Sequence, residues 1–139
     1  MNDDNSYQNF PVQDENSEVL IIDDEPQILS VLKDLLSIYG YIVYTAPDGA
    51  KGLEIFKKRQ DRISLVILDV VMPYMDGLKV FQEIKKIKAA QRVLFISGFS
   101  DKEKIERIKQ MGAVGFLSKP FRAAEILMHV KKFVNKASA

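Results

Sequence analysis

The sequence predicts an α/β fold of the (βα)5 type, in which a five-stranded parallel sheet carries helices on both faces. Two observations support this prediction. Five short apolar runs recur along the chain, and each is continuous rather than alternating, as expected for strands covered on both sides. Segments with apolar residues at helical spacing separate the runs. Strands and helices that alternate in this way indicate a doubly wound open sheet with right-handed crossovers.

The predicted strands are short and rich in β-branched residues. In chain order they are Val19–Ile22, Ile42–Tyr44, Ser64–Leu68, Arg92–Ile96 and Val114–Leu117. Each predicted helix shows an apolar stripe at helical spacing. In chain order these stripes are Ile28–Tyr39, Leu53 with Phe56, Leu78–Ile87, Ile105–Met111 and Ile126–Phe133.

The ends of the predicted helices carry suitable residues. Gly40 and Gly112 follow two of the stripes, where a helix commonly ends on a left-handed residue. Side chains that can cap a helix start precede three of them: Asp48, Asp76, and Ser100 with Glu103 as a capping box. These local signals therefore agree with the apolar periodicity.

The composition is that of a single soluble globular domain. The chain has 139 residues, 47% of them hydrophobic, and its formal net charge of +1 gives no overall field to attract nucleic acid or an anionic membrane. The absence of cysteine excludes disulfides and thiolate metal sites. No apolar stretch is long enough to span a membrane, and the N-terminus lacks the features of a secretory signal, so we expect a cytoplasmic protein.

Residues 1–17 differ from the rest of the chain. They are rich in Asn, Asp, Gln and Ser and contain no Lys or Arg. Such a segment buries too little apolar surface to offset its ordering entropy, so we predict a disordered acidic and polar tail before a domain over residues 18–137. A docking peptide built on Tyr7, Phe10 and Val12 is the alternative interpretation.

Polar side chains gather where the predicted strands end, which is where ligands bind in an open parallel sheet. The first strand is followed by Asp23, Asp24 and Glu25, the third by Asp69, the fourth by Ser97 and the fifth by Lys119. Taken singly, each of these residues also has a structural interpretation, such as a helix cap, a backbone bond or a solvated lysine. Their common position at one edge of the sheet favours a binding site.

Several carboxylates at one sheet edge repel one another. Two unit charges about 4 Å apart interact by roughly 4 kcal/mol at an effective dielectric of about 20, and one lysine cannot neutralise three acids. A divalent cation would balance the charge, and oxygen ligands without His or Cys select a hard ion such as Mg²⁺. Mg²⁺, a lysine and a hydroxyl around an aspartate are the groups that a transferring phosphoryl group needs, and a carboxylate can accept it covalently.

Four segments resemble the receiver domain of two-component response regulators. They are VLIIDDEP (Val19–Pro26), LVILDVVMPYMDG (Leu65–Gly77), LFISG (Leu94–Gly98) and GFLSKPF (Gly115–Phe121). The resemblance covers about Glu18 to Lys136, and it implies the flavodoxin-like strand order 2-1-3-4-5. It also implies a signalling protein that assists its own phosphorylation and dephosphorylation and turns over no separate substrate, so it is not expected to be an enzyme.

The resemblance assigns a role to each acidic residue of the site. Asp69 would be the phosphoacceptor and would also bind Mg²⁺. Asp24 would bind Mg²⁺ directly, Asp23 would act mainly through water, and the backbone carbonyl of Val71 would complete the protein ligands. Val71 is aliphatic where many family members are polar, so its side chain cannot position a hydrolytic water.

The resemblance also assigns the groups that read the phosphoryl state. Ser97 would supply the hydroxyl that turns toward the phosphoryl group, and Phe116 would be the aromatic switch that follows it inward. Lys119 would pair with the phosphate oxygens, and its bond to Pro120 would be cis.

Partners follow from the same resemblance. The donor would be a phosphohistidine on a sensor histidine kinase or a histidine phosphotransfer protein, docking near the first helix and the loops around Asp69. The output surface would be helix 4, strand 5 and helix 5, with an unknown effector, a possible homodimer on activation, and no direct contact with nucleic acid or membrane. Residues 101–139 carry nine Lys or Arg against four Asp or Glu, which fits either a partner surface or a solvated basic face.

Other interpretations stay open at this point. A pseudo-receiver would bind partners without being phosphorylated, and an Mg²⁺-dependent phosphatase would use a nucleophilic aspartate on a related sheet. The phosphatase would need an acid two residues after Asp69, where this chain has Val71. His129 on the fifth helix is expected to be structural rather than a phosphoryl carrier. No output segment is expected after residue 137, so the sequence is compatible with a stand-alone receiver or a part of a longer regulator or hybrid kinase.

Overall fold

The computed structural model describes residues 16–72, 75–98 and 102–134. Within these ranges five strands alternate with five helices, as predicted. The strands are β1 (Glu18–Ile22), β2 (Ile42–Ala46), β3 (Ile63–Asp69), β4 (Val93–Ser97) and β5 (Gly115–Ser118). The helices are α1 (Pro26–Ile38), α2 (Gly49–Arg59), α3 (Gly77–Ile87), α4 (Lys102–Gln110) and α5 (Ala123–Val134).

All neighbouring strands pair in parallel, and their order is β2-β1-β3-β4-β5. The predicted fold class and strand order are therefore confirmed. The chain moves from β1 to the β2 edge and then crosses back to β3, so the switch point lies between β1 and β3. Ile22 pairs with Leu68 in that register, which brings the residues that follow β1 beside the end of β3.

The strands are buried on both faces, which explains their continuous apolar sequences. Along β1, Val19 and Ile21 point into the core on the side of α1 and α5, whereas Leu20 and Ile22 point to the side of α2, α3 and α4. The two cores together cover the sheet and leave its carboxyl edge as the place where polar side chains emerge.

The described helix ends match their sequence signals. The carboxylates of Asp48 and Asp76 accept hydrogen bonds from the backbone amides three residues later, at 2.8 and 3.0 Å. Gly40 and Gly112 have φ values of +92° and +99°. These four predictions are confirmed, whereas the capping box of Ser100 lies outside the described residues.

The predicted tail also lies almost wholly outside the described residues, which begin at Asn16. The amide of Asn16 donates to the carbonyl of Gly40 at 2.7 Å, and the amide of Ile42 donates to the carbonyl of Ser17 at 2.9 Å. These bonds join the chain before β1 to the turn between α1 and β2. Within the part of the chain that the structure describes, no helix is both long and apolar enough to cross a membrane.

Candidate functional site

Three carboxylates converge at the carboxyl edge of β1 and β3. Asp23 and Asp24 follow β1, and Asp69 is the last residue of β3. One oxygen from each lies within 4.8 Å of the other two. Asp23 and Asp69 are buried, with 0% and 4% of their surface exposed, so water screens their charges poorly.

Backbone geometry fixes the orientation of both buried carboxylates. Asp23 Oδ1 accepts a hydrogen bond from the amide of Glu25 at 2.8 Å, and Asp69 Oδ1 accepts one from the amide of Val71 at 3.3 Å. Each bond spans two residues, which is the pattern of an Asx turn. Neither aspartate caps a helix: α1 begins after Glu25 with Pro26 in its first turn and no side-chain cap.

Lys119 brings the only ammonium group that the described residues place among these acids. Its Nζ lies 2.8 Å from Asp23 Oδ2, 2.6 Å from Glu25 Oε1 and 3.5 Å from Asp69 Oδ2. The Lys119 amide donates to the carbonyl of Ser97 at 2.7 Å, which fixes the base of the side chain. The bond from Lys119 to Pro120 is cis, as the resemblance implied.

The charges at this edge are not balanced. Asp23 Oδ2 is buried and lies 2.8 Å from the ammonium of Lys119, but this one cation is shared with Glu25 and Asp69. Burial, and then the charge of Asp23, raises the pKa of Asp69 to about 6, although Lys119 and the Val71 amide oppose this. Burial likewise raises the pKa of Asp23. The site therefore favours an additional positive charge.

Lys119 responds to the same surroundings in the opposite sense. Burial alone would lower its pKa, but the bonds to Asp23 and Glu25 and the charges of Asp23 and Asp69 outweigh burial and raise the pKa. The lysine therefore stays protonated, and its charge is shared among three acids.

A cavity of about 170 Å³ lies beside the acidic cluster and opens between β4, β5 and α4. Ser97 and Phe116 both line it, together with Val71 and Ile108. Ser97 is buried at the end of β4, and Phe116 is only partly buried on β5. The structure thus brings the predicted hydroxyl and the predicted aromatic switch to one space.

The remaining predicted residues are placed as follows. Val71 is 39% exposed at the mouth of the site, and the predicted role of its carbonyl as a metal ligand stays a prediction. His129 belongs to α5, where its Nδ1 lies 2.8 Å from the carbonyl of Glu125 and its ring lies 6.0 Å from the Phe133 ring at an angle of 58°. These contacts within one helix agree with a structural role.

One contact of the site could not be predicted from the sequence, and it is made by Glu25. Its neighbours Asp23 and Asp24 were recognised as candidate ligands, but nothing in the sequence shows that Glu25 pairs with Lys119, 94 residues away. The position of Glu25 at the end of the first strand was the available signal.

Comparison with known protein families agrees with this geometry. Residues 19–131 match the family model described as the response regulator receiver domain. The probable C4-dicarboxylate response regulator DctR of Bacillus subtilis is 39% identical over 118 residues, which cover 84% of this chain and 51% of DctR. Sporulation initiation phosphotransferase F of the same species is 33% identical over 119 residues, covering 86% of this chain and 94% of that protein. The chain thus spans about half of one relative and nearly all of the other.

Solved structures show the same likeness. A response regulator receiver domain protein from Clostridium thermocellum superposes with a TM-score of 0.83 at 34% identity, covering 88% of this chain and 97% of that chain. The CheX–CheY–BeF3–Mg²⁺ complex from Borrelia burgdorferi contains a chain with a TM-score of 0.78 at 30% identity, covering 83% of this chain and 87% of that one.

Proposed function

Because this chain belongs to the family of response regulator receiver domains, we propose that it accepts a phosphoryl group on Asp69 and acts as a phosphorylation-controlled signalling switch. One observation carries the proposal. Asp69 is buried at the carboxyl end of β3, 3.5 Å from the ammonium of Lys119 and beside the carboxylates of Asp23 and Asp24. A nucleophilic carboxylate next to a fixed cation, at the switch point of a parallel sheet, suits phosphoryl transfer.

The donor set fits Mg²⁺. It consists of three carboxylates without His or Cys, and one oxygen from each lies within 4.8 Å of the other two. We propose that Asp24, Asp69 and the carbonyl of Val71 hold the ion directly and that Asp23 holds it mainly through water. When bound, Mg²⁺ supplies positive charge that offsets the negative charge of the phosphoryl oxygens. The likeness to a chain of the CheX–CheY complex, which was solved with BeF3 and Mg²⁺, supports Mg²⁺ as the ion.

The transfer would proceed from a phosphohistidine of a sensor histidine kinase or a histidine phosphotransfer protein. A carboxylate oxygen of Asp69 forms a bond to phosphorus, the P–N bond of the donor breaks, and its electron pair remains on the imidazole nitrogen, which takes a proton. Lys119 stabilises the charge that the transferred group brings into the site. Hydrolysis of the acyl phosphate by water later returns the carboxylate, so no separate substrate is turned over.

We propose that Ser97 and Phe116 read the phosphoryl state. Both line the cavity beside the acidic cluster, so a movement of the Ser97 hydroxyl toward the phosphoryl group would leave space for the Phe116 ring. The face formed by α4, β5 and α5 would then change, and an effector or a second copy of the chain would bind it. Phosphorylation can shift this equilibrium only if the phosphoryl group interacts better with one of the two states.

The test is adduct formation at Asp69. Acetyl phosphate with Mg²⁺ should add one phosphoryl group to the wild-type protein, measured by intact mass, and Asp69→Asn should reduce this adduct to background. Asp61→Asn, an exposed acid before β3, is the matched control and should label like wild type. Equal labelling of Asp69→Asn would show that the phosphoacceptor is elsewhere, and no adduct or Mg²⁺ binding in wild type would instead favour a pseudo-receiver.

A further inference from the structure

We propose that Glu25 is a positioning residue that restrains Lys119 and competes with the phosphoryl group for its ammonium. This inference rests on the proposed phosphoacceptor function and adds a control element to the same site. Glu25→Gln should therefore strengthen the binding of a phosphoryl group or its analogue rather than weaken it.

The contact geometry is the first support. Of the three acids around Lys119 Nζ, Glu25 is the nearest at 2.6 Å, whereas the proposed phosphoacceptor Asp69 lies at 3.5 Å. A distance of 2.6 Å is that of a short charge-assisted hydrogen bond, and 3.5 Å is at the limit of one. In the absence of a phosphoryl group, Lys119 is thus held more closely by Glu25 than by the residue on which the chemistry occurs.

The backbone on both sides of this pair is fixed. The Glu25 amide donates to Asp23 Oδ1, and the residue after it is Pro26, which favours the extended backbone conformation found at Glu25. The Lys119 amide is bonded to the carbonyl of Ser97. The backbone is therefore held in place at both Glu25 and Lys119. The ion pair can break by movement of the two side chains alone.

Glu25 differs from the other two partners of Lys119. Asp23 and Asp69 are buried and belong to the proposed metal ligands, whereas the Glu25 side chain is 58% exposed and has no proposed role in binding or chemistry. Water can solvate the released Glu25 carboxylate, so Lys119 can exchange it for a phosphoryl oxygen without burying an unpaired charge. Lys119 can therefore replace Glu25 with a phosphoryl oxygen more easily than it can replace Asp23 or Asp69.

The size of the effect follows from the exposure of Glu25. The Glu25 end of this ion pair is 58% exposed, whereas the Lys119 end is 12% exposed. Ion pairs with a solvated partner contribute little, so removing Glu25 should tighten analogue binding by about two- to five-fold. Added salt screens the Glu25 carboxylate, so the difference between wild type and Glu25→Gln should shrink as ionic strength rises. Glu25→Asp keeps the charge on a shorter side chain and should fall between the two.

The experiment measures beryllofluoride affinity at saturating Mg²⁺ by ¹⁹F NMR, for wild type, Glu25→Gln, Glu25→Asp and the control Asp34→Asn. Asp34 is exposed on α1, so Asp34→Asn makes the same charge change away from Lys119 and should leave the affinity unchanged. The same Glu25→Gln change is then made in Lys119→Gln. If Glu25 acts through Lys119, its effect should disappear in that background.

The outcomes separate this inference from the proposed function. Beryllofluoride binding by wild type that Asp69→Asn abolishes supports the function, and an unchanged affinity in Glu25→Gln then overturns only the role of Glu25. A gain of equal size with and without Lys119 also overturns it, because Glu25 would then act as a bare negative charge. Failure of wild type to bind refutes the phosphoacceptor function, and the role of Glu25 with it.

Discussion

Asp69 is exposed to opposing influences. Burial and the nearby Asp23 favour its protonated form, and Lys119 and the Val71 amide favour the carboxylate. With a pKa of about 6, the side chain is still mostly ionised near neutral pH, so it retains the electron pair that a nucleophile needs. The same burial destabilises the carboxylate charge of Asp69 in the metal-free protein and so favours the binding of a cation.

Metal-free protein should show this penalty as a pH-dependent loss of stability. The fold raises the pKa of Asp69 from 3.8 to about 6, so between these values the native state binds more protons than the unfolded chain. The free energy of unfolding therefore falls as the pH rises through this window, and the loss is complete above it. Relative to Asp69→Asn, which cannot ionise, wild type should lose on the order of 2–3 kcal/mol between about pH 4 and pH 7.

Urea unfolding in the presence of a chelator, at several pH values from 4 to 8, measures the difference. Other groups that titrate in both wild type and Asp69→Asn contribute equally to the two proteins. The quantity to compare is therefore the difference between their unfolding free energies at each pH. Asp61→Asn, which removes an exposed carboxylate, should run parallel to wild type. Parallel profiles for wild type and Asp69→Asn would show that burial does not penalise this carboxylate.

At the scale of elements, the end of β3 and the start of α3 support the site together. The amide of Gly77 donates to the carbonyl of Val70 at 2.7 Å, which brings the first turn of α3 against the backbone that carries Asp69. A Cβ on Gly77 would overlap the carbonyl oxygen of Asp69 and lie 2.9 Å from the Cα of Val70. Both obstacles are backbone atoms, so they cannot turn aside as a side chain would.

Gly77→Ala should therefore destabilise the protein by about 1–3 kcal/mol, the usual range for overpacking a close contact. This sign is the opposite of the gain of up to about 1 kcal/mol that alanine gives over glycine inside an exposed helix. Chemical denaturation measures the change. Gly98→Ala is the matched control, because a Cβ at Gly98 meets no atom of the described residues within 4 Å, and its stability should stay within about 0.5 kcal/mol of wild type. An equally stable Gly77→Ala would mean that α3 can move away from β3 at no cost.

The sequence predicted those features that depend on neighbouring residues. The helix caps at Asp48 and Asp76 each need only a side chain and an amide three residues away, so the sequence alone predicted them. The polar ends of β3 and β4 were harder, because Asp69 and Ser97 lie beyond the apolar runs. They continue their strands through pairing with Ile96 and Ser118, which the sequence does not display.

The candidate site also contains features that the sequence predicted and features that it did not. The positions of the carboxylates followed from the strand ends once a parallel sheet was assumed, and the strand order came from the family resemblance. The choice of partner by Lys119 did not follow, because Glu25 is 94 residues away and the distances depend on how two loops are held by Asp23 and Ser97. Side-chain pairing between distant loops is set by tertiary packing rather than by local propensity.

At the scale of the whole molecule, the acidic site and the proposed output face lie at different places on the sheet. The acids lie at the ends of β1 and β3, while the proposed output face lies on the β5 side, beyond the cavity that Ser97 and Phe116 line. Packed interiors tend to switch between discrete arrangements rather than deform continuously. The proposed movement of the Phe116 ring at this cavity would therefore give the molecule two packed arrangements.

Truncating the Phe116 side chain should leave binding at Asp69 nearly unchanged but weaken the response of the proposed output face. With Mg²⁺ and beryllofluoride, wild type should show amide chemical-shift changes both around Asp69 and across α4, β5 and α5. Phe116→Ala should bind the analogue within about three-fold of wild type, because Phe116 lies on β5 and is not one of the proposed ligands. Its shift changes on β5 and α5 should fall by at least about half, since the ligand would no longer favour one packed arrangement over another. Tyr44→Ala is the matched control, because Tyr44 is a partly buried ring on β2 at the opposite edge of the sheet, and it should retain the remote changes. Undiminished changes on α5 in Phe116→Ala would show that the signal crosses the molecule by a route that does not involve this ring.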